Sequence, residues 1–184
     1  MAVRIIVLEN SQSRQDRHAR LLEAVRRELK DDKLVIEYSD RGKPLISGWD
    51  KHISVTTTGS YMVAALSDSA VGIDGEYTAR FTDKRGGDYL AIAERFFTEE
   101  EADYVRDGDG DPLRFAKIWI RKEAYVKYTG RGMVDFPNFS VCDGQRFYGR
   151  VNGVPIKKLA VHIKDAADYM FAIAGAEPMQ GAEA

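Results

Sequence analysis

Asp74 and Glu76 lie two residues apart in AVGIDGE, and Glu123 and Lys127 lie four apart in FAKIWIRKEAYVKYTGRGM. On a strand, residues i and i+2 share a face, so the first two carboxylates converge on one side, where a cation between them best relieves their repulsion. On a helix, residues four apart stack, which puts Trp119, Glu123 and Lys127 in one row. At about 100° per residue, Leu113, Ala116, Trp119, Ile120, Ala124 and Val126 occupy one broad arc. Glu123 and Lys127 fall inside that arc, while Arg121 and Lys122 fall on the polar side. A carboxylate and an ammonium on a core-facing stripe need a partner, a metal or a substrate. Two plainer readings compete: a structural Glu123–Lys127 ion pair, and a strand that runs into solvent with two exposed acids.

The elements that must position these groups can be read along the chain. Residues 3–8 form a short apolar strand, and Ser11 or Ser13 caps a helix to about Lys30 with Leu21, Leu22, Val25 and Leu29 inward. Residues 33–38 make a second strand, and 39–44 a loop punctuated by Gly42 and Pro44. Strands at 53–58 and 61–66 flank a hairpin turn at Gly59-Ser60. The acid-bearing strand is 70–76, and 77–87 reads as a loop. Helices follow at 88–97 and from Thr98, where Thr98 and Glu101 have capping-box spacing. DGDGD at 107–111 breaks the chain before the helix of Glu123, which Gly130 and Gly132 stop; it lacks the closing glutamate of a calcium loop. Strands at 138–142, 146–151, 158–163 and 169–174 close the chain, and 177–184 reads as a frayed tail. Strand-rich, then helical, then strand-rich order implies an α+β fold.

Composition narrows the chemistry. The chain has 184 residues and a net charge of −2, which gives no general attraction to nucleic acid or to an anionic membrane. The apolar run at the N-terminus is too short for a signal peptide or a membrane span, so a cytoplasmic protein is expected. Cys142 is the single cysteine, which excludes an intramolecular disulfide and suits a reducing compartment. Three scattered histidines and one cysteine argue against zinc, leaving a hard cation on oxygen ligands as the metal chemistry to expect.

Taken in order, Gly42-Lys43-Pro44, Ser54–Gly59, Val71-Gly72-Ile73-Asp74-Gly75-Glu76 and Trp119-x-x-Lys122-Glu123-Ala124-x-x-Lys127 with Gly130-x-Gly132 resemble the 4′-phosphopantetheinyl transferases, in their larger single-chain (Sfp-type) class. The stretch from Arg95 to Glu101 and the closing hairpin toward Pro178 extend the resemblance. It implies two similar α+β halves in pseudo-twofold arrangement, residues 1–76 and 77–184, with coenzyme A in the cleft between them. The implied reaction transfers phosphopantetheine from coenzyme A to a serine of an apo acyl or peptidyl carrier protein and releases 3′,5′-ADP. The pathway, whether fatty acid, polyketide or nonribosomal peptide synthesis, stays open. Asp74, Glu76 and Glu123 would hold Mg²⁺, or Mn²⁺, between protein and pyrophosphate. Glu123 is also a candidate base for the serine proton, and Lys127 would neutralise or protonate the leaving phosphate. Lys43, Thr56 and Thr57 correspond to positions that hold the 3′-phosphoadenosine end. The acidic carrier protein would dock near Arg95, Phe96 and Phe97, of which at least one phenylalanine belongs to the core. A monomer suffices for such a site.

Two departures from the family pattern stand out. Thr56-Thr57-Thr58 replaces serine-histidine-serine, exchanging a charge-assisted bond for a neutral one at a cost of about 1–2 kcal/mol. Gly75 replaces an aliphatic residue, at about 0.5–1 kcal/mol in rigidity plus lost packing. Basic residues that contact phosphates elsewhere in the family have no motif-matched counterpart; Arg14 or Arg17 are the candidates. These departures motivate an alternative, a catalytically degenerate protein that binds coenzyme A or a carrier protein. A metal-dependent phosphoesterase using the same three acids is a third reading.

Overall fold

In a computed structural model the chain is described over residues 3–82, 88–108 and 111–175. Residues 83–87 of the expected loop, Asp109 and Gly110 of DGDGD, the Pro178 end of the closing hairpin and the tail from Glu177 lie outside the described residues.

Strand β1 (Arg4–Glu9) leads into helix α1 (Arg14–Leu29). Ser13 caps that helix by accepting a hydrogen bond from the Asp16 amide, and Lys30 ends it in the left-handed conformation. Leu21 and Val25 are buried, with Leu22 and Leu29 packed beside them. A hairpin of β2 (Val35–Tyr38) and β3 (Pro44–Ser47) follows, so part of the expected loop is paired strand. Strands β4 (His52–Thr58) and β5 (Tyr61–Ser67) turn at Gly59-Ser60 and complete an antiparallel sheet of order β1-β5-β4. Strand β5 is buried on both faces. Met62, Ala64 and Leu66 join the layer under α1, while Val63 and Ala65 turn to the second sheet, which accounts for its nearly unbroken apolar run.

The second sheet has order β6-β9-β8-β7, from β6 (Gly72–Tyr77), β7 (Arg150–Val151), β8 (Val154–Leu159) and β9 (Tyr169–Ala174). Between β6 and β7 come α2 (Ala79–Thr82), α3 (Tyr89–Phe96), α4 (Glu99–Arg106) and α5 (Pro112–Thr129). Asp111 caps α5, Pro112 opens it, and Gly130 closes it at φ 75°. The fold is α+β, and in each of the two larger sheets the first strand pairs with the last strand in the chain, β1 with β5 and β6 with β9. Strand β6 is hydrogen-bonded to β9. Strand pairing therefore groups β6 with the second sheet, and a division after Glu76 would cut that sheet.

The strands expected at 138–142 and 146–151 are largely replaced. Met133–Asn138 is a 3₁₀ helix, Cys142 and Phe147 form an isolated bridge, and β7 has two residues. The reason is a competing set of partners. Lys122 takes the Phe136 and Phe139 carbonyls, and Glu101 takes the Val141 amide, groups that a strand would have offered to a ladder.

Candidate active site

Two close backbone approaches bring the site together. A Cβ on Gly72 would lie 2.0 Å from the Ala124 carbonyl, so glycine lets β6 run directly against α5. Across the other edge of β6, Ser54 Oγ accepts the Ile73 amide at 3.0 Å and Thr56 Oγ1 accepts the Gly75 amide at 3.2 Å. Hydroxyls two apart on β4 thus satisfy a strand edge that no backbone ladder covers, and they seam the two sheets.

On this scaffold Asp74 is 5% exposed and Glu76 8%, which rules out the exposed-strand reading. Lys127 Nζ lies 2.7 Å from Asp74 Oδ1 and 3.4 Å from the Val55 carbonyl. Its ionic partner is therefore Asp74 on the neighbouring strand, not Glu123 on its own helix. Thr56 donates to Asp74 Oδ1 at 3.1 Å, while Asp74 Oδ2 is buried with no hydrogen-bond partner among the described residues. Glu76 receives Arg80 Nη1 at 2.8 Å and 3.0 Å on its two oxygens. Burial pushes the Glu123 carboxyl up to about 7, with the Asp74 and Glu76 charges adding to the shift and Lys127 opposing it. Burial also raises Glu76, against the pull of Arg80.

A cleft of about 300 Å³ opens here, lined by Arg41, Lys43, Ser54, Glu123, Lys127 and Met133 among others. Lys43 stands at its wall and donates to the Lys127 carbonyl at 2.9 Å, capping the C-terminus of α5, where a cation is favoured. A second cavity of about 250 Å³ shares Gly42, Pro44 and Val55 with the cleft and adds Arg14, Arg17, His18, Tyr38 and Thr57. Thr57 is thus beside the two arginines. Thr56, on the opposite face of β4, lines neither cavity, and its hydroxyl is engaged by Asp74 and the Gly75 amide. The expectation that Thr56 and Thr57 act together on one ligand end fails on strand alternation.

In donor chemistry the site fits an oxygen-liganded divalent cation: the Asp74 and Glu76 charges both act on Glu123, and one buried Asp74 oxygen has no partner among the described residues. As the side chains lie, no three Asp, Glu, His or Cys residues among the described residues stand close enough to hold an ion.

Sequence reasoning missed the largest buried cation. Lys122 is 0% exposed, 2.7 Å from a fully buried Glu101, and donates to the Phe136 and Phe139 carbonyls at 2.7 Å and 2.5 Å. The capping box identified Glu101, which is present as expected, but nothing local pointed it at Lys122. Ser54 was legible only as part of a motif, not as the acceptor it is. Gly75 also has a different consequence from the expected packing loss. The Phe171 ring occupies its side-chain space, 2.1 Å from where a Cβ would stand. Phe97 is core and Phe96 half-buried against it. Cys142 is buried, and its thiol is pushed up to about 11 by burial, consistent with no nucleophilic role. No helix among the described residues is long and apolar enough to cross a membrane.

The arrangement has known relatives. The sequence is 29% identical over 140 residues to the 4′-phosphopantetheinyl transferase Sfp of Bacillus subtilis (strain 168), covering 70% of this chain and 59% of that protein. It is 30% identical over 105 residues to 4′-phosphopantetheinyl transferase psf-1 of Bacillus pumilus, covering 55% and 42%. Over 112 residues it is 29% identical to the L-aminoadipate-semialdehyde dehydrogenase-phosphopantetheinyl transferase of Xenopus laevis, covering 55% and 37%. The chain thus spans between about two-fifths and three-fifths of the length of these curated relatives. The pattern of the 4′-phosphopantetheinyl transferase superfamily matches residues 70–174, a span that begins just before β6, ends with β9 and contains Asp74, Glu76, Glu123 and Lys127. With more than half of its length inside that match, the chain belongs to the 4′-phosphopantetheinyl transferase superfamily.

Proposed function

We propose that this protein transfers 4′-phosphopantetheine from coenzyme A to a serine hydroxyl of an apo acyl or peptidyl carrier protein, releasing 3′,5′-ADP. The observation that carries this reading is that Glu123 and Lys127 line one cleft while Lys127 holds the buried strand acid Asp74, whose Oδ2 lacks a partner among the described residues. The serine oxygen forms a bond to the pantetheine-side phosphorus of the pyrophosphate, the bond to the bridging oxygen breaks, and the electron pair leaves with 3′,5′-ADP. Asp74, Glu76 and Glu123 would hold a divalent cation, with Mg²⁺ expected and Mn²⁺ an alternative, which would supply positive charge to the pyrophosphate. Glu123, at the wall of the cleft, suits acceptance of the serine proton. Lys127 offers its ammonium to the charge that develops on the leaving phosphate. Arg14, Arg17 and Thr57 in the second cavity, with Lys43 at the shared wall, suit the phosphoadenosine end. Thr56 acts differently, fixing Asp74. The two sheets form the pseudo-twofold halves around this cleft, divided at residues 68–71. A monomer in the cytoplasm meets the requirements of the reaction.

The test is intact-protein mass spectrometry of apo acyl and peptidyl carrier proteins incubated with the protein, coenzyme A and Mg²⁺, beside an EDTA control. The expected result is a metal-dependent gain of one phosphopantetheine arm, lost in Glu123→Gln with the fold retained. One observation favours a second reading, a binder of coenzyme A or carrier protein without transfer: Asp74 and Glu76 are already paired with cations of the chain itself. Coenzyme A binding with no mass gain on any carrier protein would select it, and release of phosphate from generic esters would select a phosphoesterase instead.

A further inference from the structure

The two acids on β6 each hold a cation supplied by the chain. Lys127 reaches Asp74 from α5 at 2.7 Å. Arg80 reaches Glu76 from the first turn of α2, with one nitrogen on both carboxylate oxygens. The two pairs differ in what surrounds them. The Arg80 side chain is 65% exposed over a Glu76 side chain that is 11% exposed, so the guanidinium covers the carboxylate from the solvent side. Among the described residues its other side-chain contact is loose, 5.7 Å from the Phe81 ring centre. A guanidinium does not shed its proton to move aside, so a cation that takes the Glu76 oxygens must compete with it. Meanwhile the same acids do not close into a three-ligand group as the side chains lie.

We propose that Arg80 is a resident counter-ion that occupies the Glu76 oxygens a divalent cation needs, so that metal uptake requires its release and Arg80 sets the affinity of the site. This rests on the metal-assisted reading above and assigns a role to a residue that the sequence motifs do not include. Arg80 is a positioning residue. It keeps Glu76 charged and ordered while no metal is bound, and it gives way when Glu76 turns to a cation. The site therefore assembles over a metal concentration that Arg80 raises.

The experiment is titration of the protein with Mn²⁺ in the absence of coenzyme A, following free Mn²⁺ by electron paramagnetic resonance at two salt concentrations. Wild type, Arg80→Ala, Arg80→Lys and Asp74→Asn are compared, with thermal unfolding of each metal-free variant as the check on folding. Removal of an exposed ion pair predicts Mn²⁺ binding about two- to fivefold tighter in Arg80→Ala, with the difference shrinking at high salt. Arg80→Lys keeps the charge and should bind close to wild type. Unchanged or weaker binding in Arg80→Ala, or equal tightening in Arg80→Lys, overturns the role of Arg80 while leaving the metal reading intact. If Mn²⁺ fails to bind wild type, or binds Asp74→Asn equally well, the metal reading falls and this inference falls with it.

Discussion

Of the three lysines on helix α5, Lys122 and Lys127 are five residues apart, and their surroundings differ in one respect. Lys122 donates to Glu101, Phe136 and Phe139, which uses all three protons of its ammonium. Glu101 in turn accepts from Lys122, Thr98 and Val141, so neither partner has an open valence toward solvent or a ligand. Lys127 is 30% exposed in its side chain, and the acid it holds keeps a buried oxygen without a partner. The first pair is closed and ties α4, α5 and the 133–141 segment together. The second is open at a cleft. A buried charge pair by itself does not mark an active site; what separates the second pair is that its lysine lines a cleft together with Glu123.

The sharpest way to break this comparison is to truncate each lysine and measure both stability and turnover. Lys122→Met leaves Glu101 charged, buried and short of a partner, and should cost about 3–5 kcal/mol in urea unfolding. The double replacement Lys122→Met with Glu101→Leu should recover part of that loss, because an apolar pair removes the uncompensated charge. Lys127→Met should behave in the opposite sense. Lys127→Met also leaves a buried acid, Asp74, but the Lys127 side chain is 30% exposed, so the stability loss should be smaller, about 1–3 kcal/mol. Carrier-protein modification should fall at least about a hundredfold if the Lys127 ammonium meets the leaving phosphate. Equal stability losses at the two positions would erase the distinction between them.

Titration sharpens the same contrast at intermediate size. The Glu123 carboxyl lies at about 7 in the folded protein against an ordinary value of 4.5. Between those values the folded state holds a proton that the unfolded chain has released, so metal-free stability falls as pH rises through this window. The expected loss is about 1–3 kcal/mol, reduced from the full shift because Glu123 keeps some solvent contact. Glu123→Gln should flatten most of that slope, with Glu76, also held above its ordinary value, contributing the rest. A pH-stability profile of wild type against Glu123→Gln checks it, and parallel profiles would show that Glu123 does not titrate in this range.

What the sequence disclosed follows from how local each interaction is. Helix α5, its Gly130 stop, the Gly59-Ser60 turn and the capping box rest on neighbours within a few residues, and each stands where its pattern put it. The shared face of Asp74 and Glu76 is a matter of strand period and was equally readable. Lys122 was not, because helical spacing alone puts it beside Arg121 while its partners lie 14, 17 and 21 residues away along the chain. The plainer reading of Lys127 pairs it with the nearest acid on its helix, whereas the acid it holds stands 53 residues upstream. The segment after Phe136 has strand-like residues but loses its backbone groups to that same Lys122–Glu101 network. Gly75 read as a defect, since its cross-strand partner Phe171 is adjacent only once β6 and β9 pair.

The smallest effect concerns the oxygen that Asp74 does share. Thr56 donates to Asp74 Oδ1 and accepts the Gly75 amide, joining the carboxylate to the seam between the sheets. Thr56→Val keeps the shape but leaves a buried amide without an acceptor and Asp74 with Lys127 as its remaining partner among the described residues. The expected cost is about 1–2 kcal/mol of stability, with Thr56→Ser close to wild type because the hydroxyl survives. Coenzyme A affinity should change little in Thr56→Val, since this residue lines neither cavity, whereas Thr57→Val should weaken it. Calorimetric titration of coenzyme A into the two valine variants separates the faces of β4. A larger loss of binding at position 56 than at 57 would return Thr56 to the ligand and undo its assignment to the open pair.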